Sequence, residues 1–438
     1  MTLKAAGAAR AKCGSVLALK GSVLLAKTGR MMPPHFPVAV AGSGPAGASC
    51  AISLLMNGTR AVALIDKARF PRDKACGDGI GPGAVQLLKK LGLGDKLKAH
   101  ARIHDLAVSG PSGVRAKGPL PRVGGEIPEG YTIPRYVFDN YLAQRALAHG
   151  AIDFTGQLLE HANFEGGRWV LSLKESQTGK RTTITSGILI GADGARSKLR
   201  RCLNIPANSD PHTGAAVRIY ATAESANFDA LRLDFMRELL PAYGWLFPIG
   251  KTKANIGVGI DLDRYKSKRH HLKEILRRYQ AKLGSHVAYD ETSYLAHILP
   301  YGSELPRLAY PAEQAALLGD AGSMINPLTG EGIYYGMFAG ELLGRLLTGA
   351  IEKPDFGPAA AALVEYESQF RRRFKRHFDL NWKIKKKVES SHWCNMVINA
   401  CRKDKMVMGE LIELMMGDKN DVEFWVFFRI LARNALPF

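Results

Sequence analysis

The sequence has no C-x-x-C pair, and its six cysteines, at 13, 50, 76, 202, 394 and 401, fall at no metal-binding spacing. That pattern suits a reducing compartment, so neither disulfides nor a metal is expected. Also lacking is an uninterrupted apolar run of the roughly 18 residues that a membrane-spanning helix needs. The most apolar late stretch, Ile333 to Ile351, is broken by Glu341 and Arg345. A spanning protein is excluded, and a cytoplasmic chain, with or without contact to a membrane surface, is expected. Acidic residues are missing from the first 32 positions, which hold six Lys or Arg and end in RMMPPHFP. SVLALKGSVLLAK is too interrupted by lysine to form a signal-peptide core. Residues 1–36 therefore read as a basic leader, either transit-like or a dispensable tail ahead of a start at Met31 or Met32.

What is present is a chain of 438 residues, 46% hydrophobic and 23% charged, enough for one large core or two cooperating ones. The formal charge of +20 is uneven: RRRFKRHFDLNWKIKKK, Arg371 to Lys387, has nine Lys or Arg against one Asp. Such a tract favours nucleic acid, an anionic membrane surface or a pyrophosphate-bearing substrate, and a solvated helix face is the plain alternative.

VAVAGSGPAG, from Val38 to Gly47, places three glycines as G-x-G-x-x-G after a short apolar strand. A helix over Ala46 to Asn57 follows, then the strand AVALID ending in Asp66. This βαβ unit is a dinucleotide-binding pattern, because each residue has a task. Gly42 permits the tight turn, Gly44 lets backbone approach a pyrophosphate, and Gly47 lets helix pack on strand. The helix amino terminus offers N–H groups and partial positive charge to phosphates. Asp66 would accept hydrogen bonds from ribose hydroxyls, and Lys67 follows it directly.

No second strand-linked glycine fingerprint occurs, so one resident dinucleotide, FAD, is expected. Two later motifs agree. ILIGADGARSKLRR, Ile188 to Arg201, runs from a buried strand into Gly191-Ala192-Asp193-Gly194. ALLGDAGSMINPLTGEGIYYGMFAGELL, Ala316 to Leu343, puts Asp320 at a strand end and starts a long helix near Glu331. Asp320 can bind ribityl or ribose hydroxyls. The dipole of the helix beginning around Gly330 to Ile333 favours negative charge on a reduced flavin.

These three motifs resemble the FAD-dependent monooxygenase superfamily typified by aromatic hydroxylases. RFPRDKACGDGI, Arg69 to Ile80, and YGWLFPIG, Tyr243 to Gly250, are similar to its geranylgeranyl reductase branch. The resemblance covers roughly Pro37 to Ile351. It implies an α/β (α+β) fold: a Rossmann-like FAD-binding domain with an inserted, mainly antiparallel substrate domain and a helical C-terminal region. The boundaries expected are 37–110, 136–200 and 310–352 for the FAD domain, 111–135 and 201–309 for the substrate domain, and 353–438 for the helices. It implies FAD contacts at Pro45, Ala46, Asp66, Lys74, Ala75, Cys76, Gly77, Arg135, Asp320, Pro327, Gly330, Gly332 and Ile333. Position alone adds Leu159 against adenine. Arg135 has a plainer alternative, a pairing with a nearby acid.

Alternation places Tyr243, Trp245 and Phe247 on one strand face. Such a strip is either core or the floor of a substrate cavity, and the resemblance favours the floor. Cys76 is likewise either a small buried hydrophobe or, with Tyr243 and Trp245, a residue on the substrate side of the flavin. The implied reaction saturates isolated C=C bonds of a polyprenyl or similar hydrophobic substrate. NADPH, NADH or ferredoxin would serve as transient electron donor, and no nucleic acid partner is expected. The alternative of the same fold is a monooxygenase acting on a hydrophobic metabolite. The aromatic C-terminal stretch DVEFWVFFRILARNALPF either caps the cavity, docks on a membrane, or packs as core.

Overall fold

Val38, Ala39 and Val40 are fully buried, because the strand His35–Ala41 runs through the middle of a sheet covered on both faces. The computed structural model describes residues 32–121, 129–223, 230–268, 271–284, 287–351, 353, 355–416 and 424–435. The basic leader up to residue 31 lies outside the described residues. Six strands stand in the order Ala309–Tyr310, Ala315–Leu317, Arg181–Gly191, His35–Ala41, Val62–Asp66 and Ile152–Thr155. Every neighbouring pair is parallel except the first. Gln157–Glu165 and Arg168–Glu175 complete the eight-stranded sheet as an antiparallel extension of Arg181–Gly191.

Helix Pro45–Met56 lies between this sheet and helix Ile333–Leu347. Glycines set how closely the two helices approach. A Cβ on Gly340 would fall 2.2 Å from the Ala46 carbonyl oxygen, and one on Gly344 would fall 2.6 Å from the Ser53 Cβ.

The second sheet has seven strands, in the order Val287–Pro300, Thr213–Ala223, Lys253–Asp261, Gly244–Ile249, Ala230–Asp234, Asp105–Ser109 and Arg115–Pro119. It is antiparallel apart from the pairing of Ala230–Asp234 with Asp105–Ser109. This corrects one sequence boundary. A division at residue 110 would part Asp105–Ser109 from Arg115–Pro119, yet the two form one hairpin in the second sheet. Gly244–Ile249 pairs with Lys253–Asp261 so that Trp245 faces Gly257 and Phe247 faces Asn255. Gly257 leaves room for the indole, since a Cβ there would fall 2.0 Å from it.

Beyond the sheets the chain is helical: Gly357–Lys387, Ser391–Lys403, Lys405–Met416 and Phe424–Ala435. The 31-residue first of these is about 46 Å long at 1.5 Å per residue. It carries the basic tract, but the tract is amphipathic. Leu363, Tyr366, Phe370, Phe374 and Phe378, three or four apart, are completely buried against helix Ile333–Leu347. Several of its cations pair with nearby acids, as in Arg371 with Glu367 at 2.6 Å and Lys375 with Asp379 at 2.6 Å. Among the described residues no helix is long and apolar enough to cross a membrane.

Candidate active site

The glycine turn after His35–Ala41 is built for backbone proximity. Gly42 has φ +106°, which strains any other residue, and a Cβ on it would fall 2.1 Å from the Ala192 carbonyl oxygen. A Cβ on Gly47 would fall 1.9 Å from the Gly42 carbonyl oxygen. Helix Pro45–Met56 then begins with no side chain capping it, which leaves its amino end to receive an anion. Asp66 braces the turn: its carboxylate accepts from the backbone N–H of Ser43 at 2.8 Å and of Ala68 at 2.9 Å. Helix Ile333–Leu347 is also uncapped, at Gly332. Two open helix ends over a glycine cradle that any Cβ would fill suit the phosphates and ring of a flavin dinucleotide.

A cavity of about 230 Å³, partly open to solvent, connects these elements. Gly44, Pro45, Ala46, Lys74, Ala75, Cys76, Gly77, Arg135, Asp320, Pro327, Gly330, Gly332 and Ile333 all line it, and so do Tyr243 and Trp245. Five expected contacts do not line it. Gly42 and Gly47 shape the turn through backbone, and Asp66 braces it. Lys67 is exposed, and Leu159 packs with Phe36, Trp169, Leu171 and Leu173 in an apolar layer of the first sheet. The structure thus gives Leu159 a core position, because its strand belongs to the antiparallel extension and not to the cavity wall.

Asp320 holds two partners on one oxygen: Lys74 Nζ at 2.9 Å and His297 Nε2 at 3.0 Å. Burial would raise the Asp320 carboxyl, but Lys74 and His297 outweigh it and hold the group well below the usual range. Arg135 is buried at 3% exposure and donates to Asp139 at 2.6 and 2.8 Å. Arg72 reaches the same carboxylate at 2.6 Å. Arg135 thus pairs with an acid four residues on, the plainer of its two sequence readings, and also lines the cavity. Burial pushes the Cys76 thiol up despite neighbouring Arg135, so the sulfur stays protonated.

The aromatic strip forms the opposite wall. Tyr243 donates its hydroxyl to the Thr329 carbonyl. Trp245 donates its indole N–H to Asn255 Oδ1 at 2.9 Å. Phe247 lies against the Cys76 segment so tightly that Cβ atoms on Gly77 and Gly79 would come within 2.9 and 3.2 Å of its ring. Behind this contact lies Asp78, fully buried with φ +64°. It accepts from Tyr220 at 2.8 Å and Asn255 at 2.8 Å through Oδ2, while Oδ1 has no partner. Burial, opposed by those two hydrogen bonds, pushes its carboxyl up to about 7.

Asp78, Asn255, His297 and Lys385 escaped the sequence reading. Asp78 left a signal, an acid between two glycines beside Cys76. The others come from strands or helices whose partners are distant in sequence.

The fold and this site define an FAD-dependent oxidoreductase. Residues 35–354 match the family described as an FAD binding domain, and the chain belongs to that family. It is 34% identical over 321 residues to the menaquinone reductase of Mycolicibacterium smegmatis, covering 71% of this chain and 76% of that protein. To digeranylgeranylglycerophospholipid reductase 1 of Methanopyrus kandleri it is 29% identical over 351 residues, covering 79% and 88%. A solved geranylgeranyl bacteriochlorophyll reductase-like protein from Thermoplasma acidophilum superposes with a TM-score of 0.75 at 20% identity, covering 91% of this chain and 96% of that one. A flavin-dependent brominase superposes with a TM-score of 0.66 at 19% identity, covering 92% and 98%. These two structural likenesses concern the fold. The relatives agree with the geranylgeranyl reductase type expected from Arg69 to Ile80 and Tyr243 to Gly250.

Proposed function

We propose that this enzyme saturates an isolated C=C bond in the prenyl chain of a lipid, taking electrons from NADPH, NADH or a ferredoxin. One observation carries the reading: the cofactor-binding residues and an apolar, aromatic chamber line the same cavity. An isolated alkene is electron-rich, so its reduction needs a proton and a hydride equivalent in a dry space that tolerates cationic character. FAD, when bound and reduced, supplies the hydride equivalent.

The chain's own residues shape the space in which the prenyl chain is held. Leu231, Leu233, Leu299, Leu328, Met415 and Met416 line the chamber and exclude water. Tyr243 and Trp245, each fixed by a hydrogen bond to Thr329 or Asn255, present rings to the prenyl chain. Cys76, with its thiol protonated, lines the same cavity beside Arg135. Access from an anionic membrane surface fits this reading. Met406, Phe427, Phe428 and Leu431 are exposed at 56, 41, 54 and 38%; Lys405 and Arg429 belong to the same helices, and Arg402 and Lys403 end the helix before them.

The test is anaerobic. The FAD-loaded enzyme is reduced and mixed with a prenylated naphthoquinone, and flavin reoxidation and product mass are followed. Reoxidation without oxygen and a gain of two hydrogens on the prenyl chain support the reading. Dependence on oxygen and a product with an added oxygen atom would sink it in favour of a monooxygenase.

A further inference from the structure

Lys385, near the end of the basic tract, is buried at 1% exposure and forms part of the cavity wall. It lies beyond the matched family segment, on helix Gly357–Lys387. Its ammonium donates to Asp261 Oδ1 and stands 3.9 Å from the centre of the Tyr301 ring. Tyr301 donates its own hydroxyl to Asp261 Oδ1 at 2.9 Å. Three distant elements meet here: the end of Lys253–Asp261, the residue after Val287–Pro300, and the last turn of the long helix. Gly214 makes room for the cluster, since a Cβ on it would fall 2.2 Å from the Tyr301 hydroxyl.

A buried ion pair beside an apolar chamber is an expensive way to hold a fold, because well-packed apolar residues of similar volume do as well or better. An ammonium has three donors, and among the described residues Asp261 is the one hydrogen-bond acceptor of Lys385. Lys385 thus brings spare donor capacity to the wall of a cavity that otherwise takes a hydrocarbon chain.

The charge balance narrows what fills it. Each fixed cation in the cavity wall already has a carboxylate: Lys74 has Asp320, Arg135 has Asp139, Arg218 has Asp73, and Lys385 has Asp261. A diphosphate brought inside would meet Asp261 with no cation to spare, despite the net charge of +20 on the whole chain. A neutral oxygen acceptor needs none.

We propose that Lys385, held by Asp261 and Tyr301, is a hydrogen-bond donor subsite for a neutral carbonyl or hydroxyl oxygen on the polar head of the prenyl lipid. The proposal rests on the prenyl-lipid reading of the cavity. The basic tract then acts at the site through one inward lysine, and the pyrophosphate expected from overall charge is a poorer fit than a quinone carbonyl.

The test measures binding to the FAD-loaded, oxidised, full-length protein, with no turnover, by tryptophan quenching. Three probes are used in detergent micelles: a 2-methyl-1,4-naphthoquinone with a geranylgeranyl tail, a hydrocarbon with the same tail, and geranylgeranyl diphosphate. Lys385→Met alone would leave Asp261 buried without a counter-ion, so the comparison pairs Lys385→Met/Asp261→Asn with Lys385→Gln/Asp261→Asn. Both remove the charges, and the second keeps an amide donor. Relative to wild type, the Met variant is expected to bind the quinone about tenfold more weakly and the hydrocarbon equally well. The Gln variant is expected to recover most of the quinone affinity. Equal loss for quinone and hydrocarbon, no loss for either, or wild-type preference for the diphosphate would each overturn the proposal. Wild type that binds none of the probes would overturn the prenyl-lipid reading itself, a result distinct from a failed Lys385 comparison.

Discussion

Asn255 donates to Asp78 Oδ2 at 2.8 Å, across 177 residues of sequence, and ties the second sheet to the segment that crosses the cofactor cavity. The same amide nitrogen donates to the Cys76 carbonyl at 2.7 Å, and Asn255 Oδ1 accepts from the Trp245 indole. One fully buried amide thus sets the spacing between the Cys76 loop and the aromatic wall.

Replacing it with an apolar residue of similar size strands two buried polar groups, the Cys76 carbonyl and the Trp245 indole N–H, and leaves Asp78 Oδ2 with Tyr220 as its donor. Each orphaned group costs about 1–3 kcal/mol, so Asn255→Leu is expected to lower stability by about 2 kcal/mol or more. Urea unfolding followed by circular dichroism measures this directly. A midpoint unchanged from wild type would show that the network does not brace the wall. The variant should also shift the tryptophan emission maximum, because Trp245 loses its acceptor.

Asp78 makes stability fall with pH in a window that its neighbours set. Its folded carboxyl sits at about 7, above the unfolded value of 3.8. Below the lower value the group is protonated in both states and burial carries no electrostatic penalty. As pH rises towards 7, the unfolded chain releases the proton and the folded chain must hold it, so unfolding becomes easier. Above 7 the penalty is complete and levels off. Asp78→Asn cannot titrate. Its stability relative to wild type is expected to grow from pH 4 to 7 and stay level above, as read from urea midpoints of the cofactor-free proteins. A constant difference across that range would mean that Asp78 ionises normally.

These two residues show what sequence could and could not reveal. Gly42 and Gly47 were legible because a backbone close approach demands glycine at fixed local spacing. Tyr243, Trp245 and Phe247 were legible because strand alternation puts them on one face. Asn255 sits opposite Phe247 by strand register, and nothing local distinguishes it from any other asparagine in a strand. His297 and Lys385 reach the cavity from elements placed by packing between layers. In the basic tract nine cations stand among Phe374 and Phe378, which continue the buried stripe of Tyr366 and Phe370.

Two helical glycines give opposite predictions for one substitution. At Gly340 an added methyl would fall 2.2 Å from the Ala46 carbonyl oxygen and 2.9 Å from the Cys50 nitrogen, both backbone atoms that cannot turn aside. At Gly409, within helix Lys405–Met416, nothing lies within 4 Å. Gly340→Ala is expected to lower stability by about 2 kcal/mol through overpacking and to loosen FAD by tilting helix Pro45–Met56. Gly409→Ala should raise stability by about 0.5–1 kcal/mol, the ordinary helix preference for alanine. Thermal unfolding and flavin retention on gel filtration measure both. Equal effects at the two sites would contradict the close helix contact.

Lys74 and Asp320 pull His297 in opposite directions, so two substitutions should move its titration oppositely. Burial lowers the imidazole pKa first, Lys74 lowers it further, and the hydrogen bond and charge of Asp320 raise it. Removing the carboxylate charge with Asp320→Asn should lower the His297 pKa, and removing the ammonium with Lys74→Met should raise it. Proton NMR of the cofactor-free protein, selectively labelled at histidine and assigned with His297→Gln, follows both. Asp320→Asn is also expected to weaken FAD binding about tenfold, because a carboxylate accepting from hydroxyls is replaced by a neutral amide. His297→Gln should have a smaller effect on affinity, since Lys74 still holds Asp320 in place at 2.9 Å. If both substitutions move the imidazole the same way, the three side chains do not share the arrangement in which Asp320 Oδ2 bridges Lys74 and His297.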